Sequence, residues 1–317
     1  MKTILKLLAV KIILWILGVA LALALLTLGV LNIAKFVLYA DYYGIKTDVC
    51  TNPGLSDGFA CQGICADEAS ERILVSGYMA DHSASRIYVT DEKNQSYYVT
   101  LTQSGKAFTG HVGGIALHGN TVYLANDGRL HLLSLQALLT AEDGSSVDVG
   151  TGIEVNNQAS FAYANDQYVY VGEFHNGDAY VTDHPYNTPD GMNYAIVSRY
   201  THGDLTRPDR IYSIRNEVQG FCVTPDGQMV LSTSYGLADS HYYIYDESKA
   251  MESGELLDGV PVYYLINCEK EIKGPAMAEG LAWYDGKVIT LTESASNKYI
   301  FGKFFFADKI VALDLKK

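Results

Sequence analysis

The sequence predicts an all-β fold, a β-propeller of five four-stranded blades, preceded by one N-terminal transmembrane helix. Three observations predict it. An unbroken apolar run lies near the N-terminus, five later segments share one plan at similar intervals, and turn residues punctuate the rest of the chain. Strand-forming Tyr, Val, Ile and Thr dominate between those turns.

Residues 12–31 are twenty in a row of which only Thr27 is clearly polar. At the rise of an α-helix they span about 30 Å, the hydrocarbon thickness of a bilayer. A helix packed into a soluble core would keep one polar face, and this run has none. Lys2, Lys6 and Lys11 precede it, while Lys35 alone follows before Asp41. The positive-inside rule therefore expects a cytoplasmic stretch 1–11, a signal-anchor crossing the lipid bilayer through 12–34, a tether 35–44 and an extracytoplasmic domain 45–317. The competing reading is a cleaved signal peptide. Its apolar region is about 7–15 residues long, and Leu38-Tyr39-Ala40 is a poor cleavage site.

The first forty residues carry four Lys and no acid, which leaves 23 − 4 = 19 basic against 36 acidic residues, a formal net charge of −17. A domain so acidic repels nucleic acid and suits a small molecule or an extracellular partner. Five cysteines, Cys50, Cys61, Cys65, Cys222 and Cys268, are too few for a disulfide scaffold and too irregular for zinc. Cys65 and Cys222 fall in apolar strand patterns and read as small buried hydrophobes.

The shared plan is a small or polar residue, an apolar pair, a turn and an alternating strand. It begins at Gln62-Gly63-Ile64, Gly113-Gly114-Ile115, Ser160-Phe161-Ala162, Gln219-Gly220-Phe221 and Glu279-Gly280-Leu281. The intervals between Gly63, Gly114, Phe161, Gly220 and Gly280 are 51, 47, 59 and 60 residues. Each leaves room for two further strands, which makes four per unit, the content of a propeller blade. The pattern expects outer strands at 85–91 and 97–101, at 194–200 and 210–214, and at 242–246 and 262–266. In the last unit 309–315 supplies the third strand, and 45–51 is expected to return as its fourth, closing the ring. A degenerate sixth blade in the two longest intervals is the alternative count. The only amphipathic helical stretch of note is 133–141.

Four clusters, His111-Val112-Gly113-Gly114-Ile115-Ala116, Val171-Gly172-Glu173-Phe174-His175, Val218-Gln219-Gly220 with Ser232-Thr233-Ser234, and Glu279-Gly280-Leu281 with Leu291-Thr292-Glu293, resemble a group of bacterial secreted or membrane-anchored β-propeller proteins. The resemblance implies an exported propeller and brings no activity with it. Similarity to the lactonase-like, calcium-dependent propellers is looser, because their blades place acidic and Asn ligands around the channel.

Alignment of the five units predicts one crowded channel mouth. The position opening each first strand holds Gln62, Gly113, Ser160, Gln219 and Glu279. The position closing each second strand holds Gly77, Asn126, Glu173, Ser234 and Glu293. Antiparallel neighbours bring both sets to the same end. Ligand-binding candidates are thus Gln62, His111, Asn126, Glu173, His175, Gln219, Ser234, Glu279 and Glu293.

Glu173, Glu293 and His111 are the candidates for acid/base work, because crowded carboxylates shift one another's pKa. Glu173, Glu279, Glu293 and Asn126 are the candidate oxygen ligands for Ca²⁺, which takes about 6–8 of them. A plain hydrogen-bonded network holding the blades in register is the bland alternative. His175, two residues after Glu173, is expected on the same side of the strand. The turn-rich insertion 178–193 falls between the second and third strands of blade 3, where it can cover the mouth. No hydrolase nucleophile elbow, phosphate-cradling loop or EF-hand loop is present.

Overall fold

The computed structural model describes residues 2–317; of the expected cytoplasmic stretch 1–11, Met1 lies outside the described residues. A single α-helix, Lys2–Leu38, covers the whole apolar run. Its segment Lys6–Leu38 is long and apolar enough to cross a membrane, and the most apolar stretch of it is entirely unburied. The expected tether is not a loose linker. The helix continues through Lys35, and a short second helix, Ala40–Ile45, follows at once. Tyr39, Tyr42 and Ile45 are buried against the domain. The Tyr42 ring stacks on Tyr242 at 6.0 Å, and the Tyr39 hydroxyl donates to Asp239 Oδ1 at 2.7 Å.

The rest of the chain forms five radial sheets. Blade 1 comprises Phe59–Asp67, Arg72–Met79, Arg86–Thr90 and Tyr97–Gln103. Blade 2 comprises Gly114–His118, Thr121–Asn126, Arg129–Ser134 and Ile153–Glu154. Blade 3 is built on Phe161–Ala164, Tyr168–Gly172, Ala195–Thr201 and Arg210–Ile214. Blade 4 uses Val218–Val223, Gln228–Thr233, Ser240–Asp246 and Lys270–Gly274. Blade 5 is Ala278–Tyr284, Lys287–Thr292 and Lys309–Leu313, completed on the outside by Lys46–Thr51, which pairs antiparallel with Lys309–Leu313. The two ends of the domain therefore meet in one blade, and the ring has no seam edge between first and last units.

Two outer strands differ from expectation. The segment assigned to blade 4 at 262–266 is displaced to Val260–Tyr264 and pairs parallel with Arg210–Ile214 of blade 3. Its inward residues Val260, Val262 and Tyr264 pack on Ile196, Ile211 and Tyr186, an apolar surface that blade 4 does not offer. Blade 4 takes Lys270–Gly274 instead. Blade 1 likewise borrows Ser146–Asp148, parallel to Tyr97–Gln103. The helical stretch shrinks to Leu135–Leu139, where the Ser134 hydroxyl caps the Ala137 N–H at 3.2 Å. The long intervals hold the lent strand Val260–Tyr264 and the hairpin Tyr186–Thr188/Gly191–Asn193, not a sixth blade.

Why glycine follows the opening residue is visible in the narrow ring. A Cβ on Gly63 would lie 2.6 Å from the Ile115 nitrogen of blade 2, and one on Gly114 2.2 Å from the Ala162 nitrogen of blade 3. Gly220 and Gly280 face the next blade's backbone in the same way, at 2.6 Å from the Glu279 oxygen and 2.9 Å from the Gln62 oxygen. With five blades the innermost strands touch backbone to backbone, and a side chain there would wedge them apart. All five cysteines are free thiols, and Cys65 and Cys222 are buried as the strand pattern requires.

Candidate functional site

Each first strand starts at one mouth of the channel and runs toward the other. At the starting end lies a cavity of about 630 Å³ lined by Gln62, Gly113, Ser160, Gln219 and Glu279, together with Asn126, Ser234 and Glu293. The two aligned sets thus meet at one mouth, except that Gly77 and Glu173 do not line the cavity. A larger space of about 850 Å³ lies at the opposite mouth, among the turns of the first hairpins. Two of its charged groups neutralise each other, with Arg199 Nη1 3.3 Å from Glu247 Oε1.

A repeated irregularity aims the key side chains. In blade 1 the pairing passes from Cys61↔Gly77 to Gly63↔Ser76, in blade 4 from Val218↔Thr233 to Gly220↔Ser232, and in blade 5 from Ala278↔Thr292 to Leu281↔Thr290. Each step leaves one extra residue on the first strand. Gln62, Gln219 and Glu279 lie within these bulges, which bend the strand and turn a side chain out of the ladder's alternation. The segments leading into four first strands also hold non-glycine residues at positive φ, namely Val112, Ala159, Glu217 and Met277. For β-branched Val112, at φ 54°, this is a strained conformation that the surrounding fold must enforce.

Glu279 and Glu293 are both buried and stand beside each other. Burial raises Glu279 well above the usual carboxylate range, and the neighbouring Glu293 charge adds to it against Lys298. Burial also pushes Glu293 up to about 7, opposed by a hydrogen bond from Tyr299, by Lys298 and by Gln62. The Gln62 carboxamide is fully committed. Its Nε2 donates to Glu293 Oε2 at 2.9 Å and to the Cys61 carbonyl at 3.0 Å, while Oε1 lies 2.7 Å from His111 Nε2. Because Oε1 can only accept, His111 carries its proton on Nε2.

The His111 ring lies against Tyr78 at 4.4 Å, and burial, reinforced by Lys298, lowers its pKa to about 4. A chain His111–Gln62–Glu293 therefore links a neutral imidazole to a carboxyl group that changes charge near neutrality. Lys298 donates to the Tyr78 hydroxyl, which lies 3.2 Å from that of Tyr299. Burial lowers the Lys298 pKa, and the two glutamates resist this.

Other candidates have different partners. Glu173 is buried behind the cavity, where Oε1 accepts from His184 Nδ1 at 2.6 Å and from the Ile196 N–H at 3.2 Å. The expected Glu173/Glu293 pairing is therefore replaced by Glu279/Glu293, because His184 reaches down from the blade 3 insertion and holds Glu173. His175 does not pair with Glu173 either. Its Nδ1 meets the Thr182 hydroxyl at 2.9 Å, and its ring stacks on Tyr194 at 4.8 Å. Asn126 Oδ1 accepts from the Val112 N–H at 2.9 Å, and Ser234 Oγ donates to the Ala278 carbonyl at 2.9 Å.

The calcium set Glu173, Glu279, Glu293 and Asn126 is consequently not assembled. Among the described residues no group of three or more His, Cys, Asp or Glu is placed to hold a metal ion. Two carboxyl groups, one of them bonded to Gln62, fall short of the oxygens calcium needs. Tyr78, His184, Lys298 and Tyr299 were missed as site residues. Lys298 had one signal, a cation five residues after Glu293 in a loop with no acid between them.

No family model matches the chain, and no curated protein matches it. Among solved structures it is similar to the hydrazine synthase of Kuenenia stuttgartiensis, at 12% identity over 74% of this chain and 56% of that chain, with a TM-score of 0.38. It is also similar to the PQQ-bound aldose sugar dehydrogenase of Streptomyces coelicolor, at 16% identity over 78% and 77%, TM-score 0.43. A third is apo AztD of Citrobacter koseri, at 13% identity over 72% and 55%, TM-score 0.35. The chain thus spans little more than half the length of the first and third, and none supplies a residue correspondence. The strand pairing itself makes this chain a five-bladed β-propeller with a long apolar N-terminal helix.

Proposed function

We propose that this is a membrane-anchored, extracytoplasmic propeller that binds a small cationic or hydroxyl-rich ligand at the mouth holding Glu279 and Glu293. The observation that carries the reading is the buried carboxyl pair facing an open cavity. Leaving such groups without a partner is costly, and in the free protein Lys298, Gln62 and protonation share the task. A ligand ammonium or a set of hydroxyls would take over the Lys298 role, with Tyr78, Tyr180 and Tyr235 as aromatic walls. The lysines before the apolar run favour a cytoplasmic N-terminus and an exported domain.

The test is a thermal-shift panel of polyamines, quaternary amines and sugars on the full chain in detergent or nanodiscs. Binding should raise Tm for the natural protein and not for Glu279→Gln/Glu293→Gln. A ligand that stabilises both equally binds elsewhere, and a panel without any hit removes this ligand class.

A second reading rests on one observation, the Glu293 carboxyl poised near pH 7. A group at that pKa beside a second carboxyl whose pKa burial also raises suits general acid–base catalysis, as in an exported hydrolase or lactonase-like enzyme. Turnover of chromogenic esters and lactones that Glu293→Gln abolishes would favour it. Turnover unchanged in that variant would dismiss it.

A further inference from the structure

We infer that the mouth bearing Glu279 and Glu293 faces the bilayer that the N-terminal helix crosses, with the second-to-third-strand connections of blades 3, 4 and 5 dipped into the lipid headgroup region. The inference rests on the membrane reading of that helix. It adds where the domain sits on the membrane and from which side its site is reached.

Helix placement is the first argument. Second strands end at the glutamate mouth, so the connections that follow them lie at that end. The last turns of the helix meet Gly302–Phe305 in blade 5's connection, with Lys35 Nζ 5.0 Å from the Phe306 ring. Tyr39, just after the helix, is bonded to Asp239 in blade 4's connection. Between Ile4 and Leu38 no described side chain is buried, so the helix leaves the domain from the glutamate end without returning along its side.

The distribution of exposed apolar side chains is the second, independent argument. Among the described residues outside the helix, twelve large hydrophobic side chains are exposed, and nine of them lie in these three connections. Blade 3 offers Val181 at 63% exposure, blade 4 Leu237 at 51% and Tyr235 at 45%, and blade 5 Phe301 at 66% and Phe304 at 43%. The other three of these described side chains, Leu132, Met251 and Leu256, lie elsewhere. The corresponding connections of blades 1 and 2, residues 80–85 and 127–128, carry no such side chain.

Aromatic and aliphatic tips gathered where a transmembrane helix emerges have the composition of a membrane interface. Lys298 and Lys303 stand among them, long enough to hold their charge at headgroup level. The domain as a whole is acidic, so apolar insertion rather than attraction to anionic lipid holds this face. A zwitterionic surface is the fitting partner. Ligands of the site would then come from the headgroup layer or through the gap beside blades 1 and 2.

The experiment uses the full chain in phosphatidylcholine nanodiscs with or without brominated acyl chains, reading tryptophan quenching. Phe301→Trp and, as a second probe in another blade, Tyr235→Trp are each placed in a Trp15→Phe/Trp283→Phe background. Leu256→Trp in that background samples the hairpin tip beyond Met251–Leu257 at the far end of the domain. Both rim probes should lose about half of their emission or more in brominated lipid, as residues at the headgroup–acyl boundary do, and the Leu256→Trp probe should lose almost none. The natural Trp15, observed alone in Trp283→Phe, should be quenched strongly. If Trp15 is quenched while both rim probes behave like Leu256→Trp, the docking is overturned and the face is free for a protein partner or a second copy. If Trp15 itself is unquenched, the anchor reading fails, and the docking with it; ligand binding in detergent would be untouched by either result.

Discussion

Replacing Glu293 by Gln should stabilise the domain above about pH 4.5, by an amount that grows until about pH 7. In the natural protein burial holds this carboxyl up to about 7, whereas in the unfolded chain it ionises near its ordinary value of 4.5. Between those two values the folded state keeps a proton that the unfolded state has released. Stability from this group is therefore fully present below about pH 4.5 and is lost as pH rises toward 7, the sign expected when the folded state binds more protons.

The difference, at about 1.4 kcal/mol per pH unit, amounts to roughly 3 kcal/mol by pH 8. Glutamine reproduces the protonated form and can still accept from Gln62 Nε2. Variant and natural protein should thus differ by less than about 1 kcal/mol at pH 5 and by roughly 3 kcal/mol at pH 8, the latter about 5 °C in Tm for a domain of this size. Urea unfolding of both proteins at several pH values between 5 and 8 measures the gap directly. Comparing the two proteins at each pH cancels every other titrating group. Curves that stay parallel from pH 5 to 8 would refute the buried, proton-holding carboxyl on which the site is built.

Three further outcomes follow from the same geometry. Lys298→Met removes the cation that opposes protonation of both glutamates, so the pH midpoint of that stability loss should move upward, read from the same unfolding series. His184→Ala leaves buried Glu173 with only backbone donors and should cost about 3 kcal/mol, much of which the added change Glu173→Gln should restore. Gly114→Ala drives a methyl into the Ala162 backbone and should cost more than about 3 kcal/mol or abolish soluble expression, whereas Gly203→Ala, which meets open space, should stay within about 0.5 kcal/mol.

What the sequence revealed and concealed divides along a physical line. The number of blades, the return of the N-terminal strand to blade 5 and the crowding of opening and closing residues at one mouth all follow from periodic strand patterns. Antiparallel pairing between chain neighbours converts such patterns directly into position. Pairings between distant segments, apart from the one that closing the ring demands, escaped that logic. Val260–Tyr264 reads as a strand from its alternation, but nothing local says that its partner is Arg210–Ile214 rather than blade 4. The site was affected in the same way. Glu279, Glu293, Gln62 and His111 lie on patterned strands or beside their ends, so the repeat aligns them, while His184, Lys298 and Tyr299 come from irregular connections whose path only tertiary contacts decide. Glu173 shows the cost. The alignment places it at the crowded mouth, yet it lies behind the cavity, held by a histidine from the blade 3 insertion.

The strand that closes blade 5 has a consequence for how the molecule is made. Thr51 and Lys309, joined at one end of that pairing, are 258 residues apart along the chain. The strand that follows the long apolar helix is made early but cannot find its hydrogen-bonding partner until almost all of the domain has been synthesised. Until then the sheet at the seam keeps an open edge, in a topology whose long-range contact must form late and slowly. Completion of the ring thus depends on an unbroken chain, since one cut anywhere between the two strands keeps its N-terminal helix yet leaves the ring unsealed, a ready target for proteases.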